Sequence, residues 1–446
     1  MAHSRFRATV WTILLVMSLV LSLAATAVAA PSGPVAAQCF DESLPVTVEE
    51  TRLEAIPEGG TEPASQQILA RSGFDRFVDQ FITSLCRAPN LQQAENMVRT
   101  QGTALWRAAV DRAQGRGPAH GDLDRYDDRP LYWARLSMTR ALRQWAPAFP
   151  LSDEARAELI KLLEYTSRGI TSVDFPAGAG VKRVLVSGFD PYTLNQEPRR
   201  SNPSGASALQ LDGLLIKTDS GPAFVQAVIF PVLWGAFEEG IVEDAFGPHL
   251  MEGPRQVDLM MTISQGGARQ MAIEQWAGNW RGGSLDNNDV SSQGMIPLAA
   301  NWPQTPEPTW FIETTLPYQA MIDAGTGPWP VFLNTRVRVW PDPSNPGVGS
   351  CITREDGPHP GDAACAGGGG NYLSNESMYR SNRLRLALGR HDLPGGHLHI
   401  ASLVYPEDRA AITDPVFEEY RKAIVDQTVA LVAAAARAVE VARAYE

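Results

Sequence analysis

The chain has 446 residues, of which 44% are hydrophobic and 20% are charged. This length is ample for a large core and too long for one average domain, so we expect two domains. The formal net charge of −12 and the sequence pI near 5.2 argue against nucleic acid or an anionic membrane surface as partner, because both partners need a basic patch on the protein.

Residues 1–29 have the pattern of a secretory signal peptide. Two arginines precede an apolar run from Val10 to about Leu23, and an Ala-x-Ala site follows at Ala27–Ala29. An uncleaved signal anchor is the alternative, but the apolar run is short for a membrane span. We therefore expect a secreted or extracytoplasmic protein with no membrane span after signal cleavage. Residues 30–64 are predicted to be a flexible segment.

Four cysteines, an even number, suit an oxidising compartment. Cys351 and Cys365 flank a loop rich in glycine, proline and aspartate, so a local bridge between them is the natural pairing. That pairing leaves Cys39 and Cys86 to tie down the N-terminal segment. Free buried thiols are the alternative.

Residues 65–170 are predicted to form a helical domain. Apolar residues recur there at three- and four-residue spacing, as between Phe74 and Phe81, which is typical of amphipathic helices. Glycine and proline separate these helices near residues 115–118 and 147–150. The aromatic stripes are interpreted as core or as the face that packs on the second domain, and no motif in this region indicates chemistry.

Residues 181–446 alternate short β-branched runs with helical stretches. The predicted strands cover residues 181–187, 224–232, 257–264, 330–339 and 398–404. The predicted helices cover residues 206–215, 237–246, 317–324, 373–386 and 415–444. This alternation predicts an α/β sandwich with a mostly parallel sheet, whose sites form outside the carboxyl ends of the strands. A loop at about 340–370 is predicted to be an insertion.

Three residues offer a nucleophile, a base and an orienting carboxylate, which are the parts that acyl transfer needs. Ser374 follows four glycines and starts a predicted helix, so backbone N–H groups would face a developing oxyanion. His399 lies on a predicted buried strand, and Glu274 follows another strand. Each residue also has an ordinary structural interpretation, the serine as a helix N-cap and the histidine as part of the core.

Six segments, in order and at suitable spacing, resemble the pyroglutamyl peptidase I family, cysteine peptidases that remove N-terminal pyroglutamate. The segments are residues 184–192 with 201–204, 264–269, 274–287, 310–321, 370–379 and 396–399. The resemblance covers most of the region from residue 181 to about 441. It implies a three-layer α/β/α sandwich of the phosphorylase/hydrolase-like kind. It also implies no cofactor, and a peptide or small amide substrate with an N-terminal pyroglutamyl group. The family tends to form homo-oligomers, and the added helical domain leaves the oligomeric state open.

The resemblance assigns catalytic roles to three residues. It implies Glu274 as the orienting carboxylate, His399 as the base, and Ser374 at the position where the family has its cysteine. A hydroxyl must lose its proton during attack, whereas a thiol beside a histidine is already a thiolate, so the serine needs closer alignment with its base. Two hypotheses follow: an exported hydrolase with a Ser-His-Glu triad, and a weak or inactive pseudoenzyme that binds pyroglutamyl-like ligands.

The resemblance also implies a lactam pocket. Phe189 and Tyr192 would be its aromatic walls, and the backbone near Gln265 and Leu373 would supply the polar contacts. Tyr192 stands where the family prefers phenylalanine, which adds a hydroxyl at the pocket edge. Core packing at a strand end is the alternative for both aromatic residues.

His397 and His399 form an H-x-H pair whose side chains share one face of a strand, as in some metal sites. A hydrolytic metal site would need additional ligands, and the other histidines of the mature chain lie in ordinary loop contexts. We therefore expect no metal.

Overall fold

The computed structural model describes residues 39–118, 120–177, 180–305 and 309–440. The predicted signal peptide lies outside these residues. Within them, no helix combines the length and the apolar character that crossing a bilayer requires.

The structure begins with helices and continues with strands and helices in alternation. The helices are α1 Val48–Thr51, α2 Ala64–Ser72, α3 Asp75–Arg87, α4 Leu91–Ala113, α5 Arg129–Gln144, α6 Asp153–Ser167, α7 Pro203–Leu211, α8 Trp234–Glu238, α9 Ile241–Leu250, α10 Tyr318–Asp323, α11 Leu373–Ala387 and α12 Pro415–Ala438. The strands are β1 Lys182–Phe189, β2 Leu215–Ile216, β3 Ala223–Phe230, β4 Leu259–Gln265, β5 Met271–Glu274, β6 Trp276–Gly278, β7 Arg281–Leu285, β8 Ser291–Gly294, β9 Phe311–Glu313, β10 Val331–Asn334, β11 Val337–Val339, β12 Ile352–Arg354, β13 Ala364–Ala366 and β14 Gly395–Ile400.

Side-chain caps fix the starts of several N-terminal helices. Asn90 accepts a hydrogen bond from the backbone N–H of Gln93 at the start of α4, and Ser152 accepts one from Ala155 at the start of α6. The apolar stripes of these helices are buried, with Phe81 and Leu85 of α3 fully inaccessible to solvent. The periodicity therefore located the helical region correctly.

Residues 39–64, which the sequence assigned to a flexible segment, contain helix α1 and a buried turn. Thr47 and Glu50 form a reciprocal capping box at the start of α1. Glu49 and Leu53 are buried against the rest of the protein. The capping box and the burial give this segment a defined conformation that its composition did not indicate.

The strands form a mixed, mostly parallel main sheet in the order β10-β5-β14-β4-β1-β3-β2. Neighbours pair in parallel except β5 with β14 and β2 with β3, which pair antiparallel. The carboxyl ends of β1, β4 and β14 therefore meet at one edge of the sheet, as expected for an α/β protein.

Strand β1 is buried on both faces of the sheet. Successive side chains of a strand point to opposite faces, and on β1 both sets are covered. Val184 and Val186 of β1 belong to a hydrophobic cluster with residues of α4, α7 and α12. Leu185, between them, belongs to a second cluster with residues of α9 and α11. Burial on both faces explains why β1 appears in the sequence as a continuous apolar run rather than an alternating one.

Two strand predictions differ from the structure in ways that affect the site. Residues 330–339 form two strands in different sheets, β10 in the main sheet and β11 in a small sheet with β12 and β13. The predicted strand at 398–404 instead spans residues 395–400. Strand β5 was absent from the prediction, because four residues next to a glycine-rich loop give little periodicity.

The helical region and the α/β region belong to one compact unit. Polar contacts join them as well as apolar ones. Trp106 of α4 donates a hydrogen bond to Asp212 across 3.2 Å, and Arg129 of α5 donates to the backbone oxygens of Arg199 and Ile412. The two predicted regions therefore share one interior.

The structure contains disulfides Cys39–Cys86 and Cys351–Cys365, the two pairs that the sequence indicated. The first ties the start of the described chain to α3, and the second closes the loop between β11 and β13. Structural disulfides are typical of proteins that work outside the reducing cytosol.

Candidate functional site

A histidine and a glutamate meet between the antiparallel strands β14 and β5. The register opposes His399 to Ala272 and His397 to Glu274, so the Glu274 side chain reaches His399 diagonally. The His399 Nδ1 and the Glu274 Oε1 are 2.7 Å apart. The side chains are 12% and 2% exposed, respectively. A buried carboxylate on Nδ1 fixes the ring orientation and leaves Nε2 as the free nitrogen.

The second oxygen of Glu274 is also held. Asn334, the last residue of β10, donates from Nδ2 to Glu274 Oε2 across 2.7 Å and to the backbone oxygen of Gly368 across 3.1 Å. A Cβ at Gly368 would collide with the carboxylate, so the glycine loop packs directly on it. Sequence reasoning missed Asn334, although a polar side chain at the end of a strand is a usable signal.

Ser374 lies in the first turn of α11, as the sequence indicated. The helix N-cap, Tyr372, makes no capping hydrogen bond with its side chain, so the first N–H groups of α11 have no such partner. Asn375 exchanges two hydrogen bonds of 2.8 Å with the backbone of Gly278 and thereby fixes the helix start against β6. This end of α11 offers N–H donors and the positive end of a helix dipole.

Gly369 is close to both the serine and the histidine. The Ser374 hydroxyl donates to the Gly369 backbone oxygen across 3.4 Å and, in the described part of the chain, makes no hydrogen bond with His399. A Cβ at Gly369 would lie 3.0 Å from His399 Cε1 and 3.7 Å from the backbone of Asn375. The histidine ring and the start of α11 therefore both pack close to one glycine.

A cavity of about 110 Å³ lies beside Ser374. Its lining consists of Phe189, Tyr192, Asn202, Val232, Ser264, Gln265, Tyr372, Leu373 and Ser374. Pockets for drug-sized ligands span about 300–1,000 Å³, so this one suits a small ring. The four residues that the sequence assigned to a lactam pocket thus share one cavity with the serine.

The polar edge of the cavity is formed by Gln265 and Tyr192. The Gln265 amide donates from Nε2 to the Tyr192 hydroxyl across 2.9 Å, and its Oε1 is buried with no hydrogen-bond partner among the described residues. Phe189 forms an apolar part of the lining. It is 3% exposed and stacks on Phe237 with ring centroids 6.1 Å apart. The cavity thus combines aromatic walls with one unused amide acceptor.

Two sequence families match this chain. The family described as PA0049 N-terminal domain matches residues 28–164, and the family described as PA0049, C-terminal domain, matches residues 183–295 and 339–404. The chain is 34% identical to "Uncharacterized protein PA0049" of Pseudomonas aeruginosa over an alignment 504 positions long. The alignment covers 89% of this chain and 90% of that protein. The chain belongs to the PA0049 family. No solved structure matches it.

Both parts of the site fall within segments that match the PA0049 C-terminal domain. The cavity walls, Gln265 and Glu274 lie in the first matched segment, and Ser374 and His399 lie in the second. Asn334 lies between the two segments. The PA0049 N-terminal domain corresponds to the helical region.

His397 does not belong to a metal site in this structure. Its Nδ1 lies 2.7 Å from the Thr262 hydroxyl and its Nε2 lies 2.8 Å from the Ser264 hydroxyl, so both nitrogens are occupied. Burial, followed by the neighbouring His399, holds the pKa of His397 well below its ordinary value. The described residues contain no group of three or more His, Cys, Asp or Glu side chains placed to hold a metal ion.

The helical region holds the loop after β1 through Asp190. Arg135 and Arg168 both pair with this buried carboxylate, Arg168 across 2.6 Å. Asn202, which lines the cavity, donates to the Asp190 backbone oxygen across 2.9 Å. The cavity wall is therefore fixed from behind by two buried arginines. Sequence reasoning missed them; the signal for Arg135 was an arginine among the apolar residues of α5, whereas Arg168 follows the end of α6.

Glu49, near the start of the described chain, also supports the loop after β1. Glu49 accepts hydrogen bonds from the Tyr132 hydroxyl at 2.8 Å and from Asn287 Nδ2 at 2.7 Å. Asn287 Nδ2 also donates to the Pro191 backbone oxygen across 2.9 Å. Burial, followed by the nearby Asp190 charge, raises the pKa of Glu49 to about 7. Glu49 therefore supports the cavity without lining it.

Proposed function

We propose that this protein is an exported hydrolase that releases an N-terminal pyroglutamyl or related lactam group through an acyl-enzyme on Ser374. The observation that carries the proposal is the 2.7 Å contact between His399 and Glu274 beside the start of α11, next to a small cavity that Ser374 lines. A nucleophile, an oriented base and a ring-sized cavity meet at the carboxyl edge of the sheet, where α/β proteins place their sites.

In the first half of the reaction, the Ser374 hydroxyl rotates from the Gly369 oxygen toward His399. Nε2 of His399 accepts the hydroxyl proton as Oγ attacks the scissile carbonyl carbon, and Glu274 stabilises the imidazolium through Nδ1. The N–H groups of the first turn of α11 stabilise the oxyanion. Collapse of this intermediate breaks the amide bond, and His399 returns the proton to the leaving amine.

In the second half, a water molecule replaces the amine. His399 accepts a proton from that water, which attacks the ester carbonyl, and then protonates Ser374 Oγ as the acid leaves. The catalyst ends in its starting protonation state, and no cofactor enters the chemistry.

The cavity fits the ring of such a substrate. A neutral five-membered lactam requires an apolar slot with a few amide-directed hydrogen bonds. Phe189 and Tyr192 supply the walls, and the buried Gln265 Oε1 is an acceptor free to take a ligand N–H. Leaving that acceptor unpaired in the absence of ligand costs about 1–3 kcal/mol, which a bound amide would recover.

We propose the three-layer α/β/α arrangement of hydrolase-like proteins as the finer description of the fold. The two hydrophobic clusters, one on each side of β1, support it. A sheet covered by helices on both faces is the usual result when most of its strands are parallel.

Incubation of the mature protein with a pyroglutamyl amide that carries a fluorescent leaving group tests the proposal. We expect release of the fluorophore by the wild-type protein and its loss in Ser374→Ala, with unchanged thermal stability. Ser344→Ala, in an exposed turn of the inserted loop, is the matched control and should retain the activity. Activity that survives Ser374→Ala would refute the serine acyl-enzyme.

A second function, a pyroglutamyl-binding protein without turnover, has one observation in its favour. The Ser374 hydroxyl bonds to the Gly369 oxygen and not to His399. Binding of pyroglutamyl amide without turnover by the wild-type protein would support this alternative. Turnover that appears in Ser374→Cys would then show that the hydroxyl alone silences the site, because a thiol ionises more easily beside a histidine.

A further inference from the structure

Arg200 lies beside the cavity wall, and its side chain makes no ion pair among the described residues. Its guanidinium carbon is 6.0 Å from the centre of the Tyr192 ring and 5.6 Å from that of Tyr405. Contacts at these distances are within the usual range for cation–π attraction. Tyr192 lines the cavity, and Tyr405 follows β14, the strand that carries His399. The guanidinium is therefore held between the cavity wall and the loop that follows the base.

The neighbouring residue shows how an arginine of this loop is normally satisfied. Arg199 donates to both carboxylate oxygens of Glu197, at 2.9 and 2.8 Å, and to two backbone oxygens. Arg200 makes no hydrogen bond or ion pair with its side chain in the described part of the chain, and its Nε is buried without a partner. The residue as a whole is partly exposed to solvent.

An arginine in this state is suited to bind an anion. Its planar fork of N–H donors matches a carboxylate, and stacking on tyrosine fixes the plane in advance. The protein as a whole carries a formal charge of −12, whereas the Arg200 side chain is a cation that makes no ion pair among the described residues. The cavity lining includes Tyr192 and not Arg200, so a ligand group that meets the guanidinium must extend beyond the cavity.

We propose that Arg200 is a specificity-determining residue that selects pyroglutamyl compounds with a carboxylate in the portion beyond the pyroglutamyl ring. This inference rests on the proposed function and deepens it. The carboxylate comes from an acidic side chain after the pyroglutamyl group or from the free carboxyl terminus of a dipeptide. Both sources present the same planar anion to the guanidinium.

Calorimetric titration of the Ser374→Ala protein with three probes tests the inference, because binding is then measured without turnover. The probes are pyroglutamyl-alanine amide, which is neutral, pyroglutamyl-glutamate with its terminal carboxyl amidated, and pyroglutamyl-alanine with a free carboxyl terminus. We expect at least one anionic probe to bind about tenfold more tightly than the neutral one, the effect of a charge-assisted hydrogen bond at a partly exposed site. The stronger anionic probe identifies the source of the carboxylate.

Variants then assign the preference to Arg200. Arg200→Gln should bring the ratio of affinities close to one, and Arg200→Lys should keep part of it, because lysine retains the charge but not the fork. Arg255→Gln is the matched control, since Arg255 is exposed and precedes β4 at the opposite edge of the sheet, and it should keep the full ratio. Added salt should reduce the ratio through screening.

The outcomes separate the inference from the proposed function. Equal binding of all three probes by the Ser374→Ala protein, or a preference that persists in Arg200→Gln, overturns the role of Arg200 and leaves the pyroglutamyl site standing. Failure of every probe to bind overturns the pyroglutamyl site and the inference with it.

Discussion

The interface between the helical region and the sheet differs from the carboxyl edge of the sheet in how its polar groups are satisfied. At the interface, Asp190 is paired on both oxygens by Arg135 and Arg168. At the edge, Gln265 Oε1 and Arg200 Nε are buried and have no hydrogen-bond partner in the described residues. Asp190 is satisfied by the protein itself, whereas the polar atoms at the edge are left without a hydrogen-bond partner among the described residues.

This difference in hydrogen-bond pairing indicates which region of the molecule to test for function. A buried polar group without a partner costs free energy, so a protein keeps one only where something else repays the cost. A paired buried charge, in contrast, fixes geometry and is sensitive to loss of either partner. Changes at the edge should therefore alter activity with little effect on stability, and changes at the interface should do the reverse.

Glu274→Gln should produce the largest effect and should act on activity alone. The amide no longer stabilises the imidazolium of His399, and loss of the corresponding carboxylate in a serine triad lowers kcat by about 10⁴-fold. Steady-state kinetics on the fluorogenic pyroglutamyl amide would measure it. Glu313→Gln, an exposed glutamate nearby, is the control. A loss below about tenfold would mean that Glu274 does not act through His399.

Arg135→Met should lower the free energy of unfolding by about 3 kcal/mol, because it leaves the buried Asp190 with one guanidinium instead of two. Urea unfolding followed by circular dichroism would measure the change. Arg140→Met on the same helix is the control, since its ion pair with Glu54 is exposed and should contribute less than about 1 kcal/mol. Equal effects of the two variants would contradict the importance of the buried pair.

Glu49 should make stability depend on pH. Its pKa is raised to about 7 in the folded protein from an ordinary 4.5, so the folded state binds the proton more tightly than the unfolded state. The contribution is fully present below about pH 4.5 and is lost as the pH rises through about 7, and it is on the order of 3 kcal/mol.

Glu49→Gln should therefore flatten the stability profile between about pH 4.5 and 7, as measured by urea unfolding at several pH values. Glu54→Gln, an exposed glutamate in the same segment, should leave the slope unchanged. A wild-type slope that Glu49→Gln does not reduce would argue against a raised pKa at this residue.

The smallest expected difference is between the two disulfides. Cys39–Cys86 spans 47 residues and Cys351–Cys365 spans 14, so loop-closure entropy predicts about 1 kcal/mol more stabilisation from the longer loop. Unfolding of the double variants Cys39→Ser with Cys86→Ser, and Cys351→Ser with Cys365→Ser, would measure it. A larger loss from the shorter loop would show that local packing outweighs the entropic effect.

Much of the fold followed from local pattern. The amphipathic stripes of α3 and α5 and the apolar runs of β1 and β3 were visible because burial on one face or two faces leaves a repeat in the sequence. Strand β5 left no such repeat in its four residues, and residues 330–339 were divided between two sheets by pairing that a sequence pattern does not contain. The ordered segment around α1 was likewise hidden, since its stability depends on contacts with Asn287 and Tyr132.

The sequence alone determined the residue types of the site and their order, with Ser374 after a glycine run, His399 on a predicted buried strand and Glu274 after another strand. It also indicated both cysteine pairs. The tertiary structure decided what those residues touch. Glu274 reaches His399 diagonally across β5 and β14, Asn334 holds its other oxygen, and Arg200 makes no ion pair with its side chain in the described part of the chain. Pairing of side chains that are more than a hundred residues apart depends on sheet order and register, and these are set by the packing of the whole core rather than by any local run of residues.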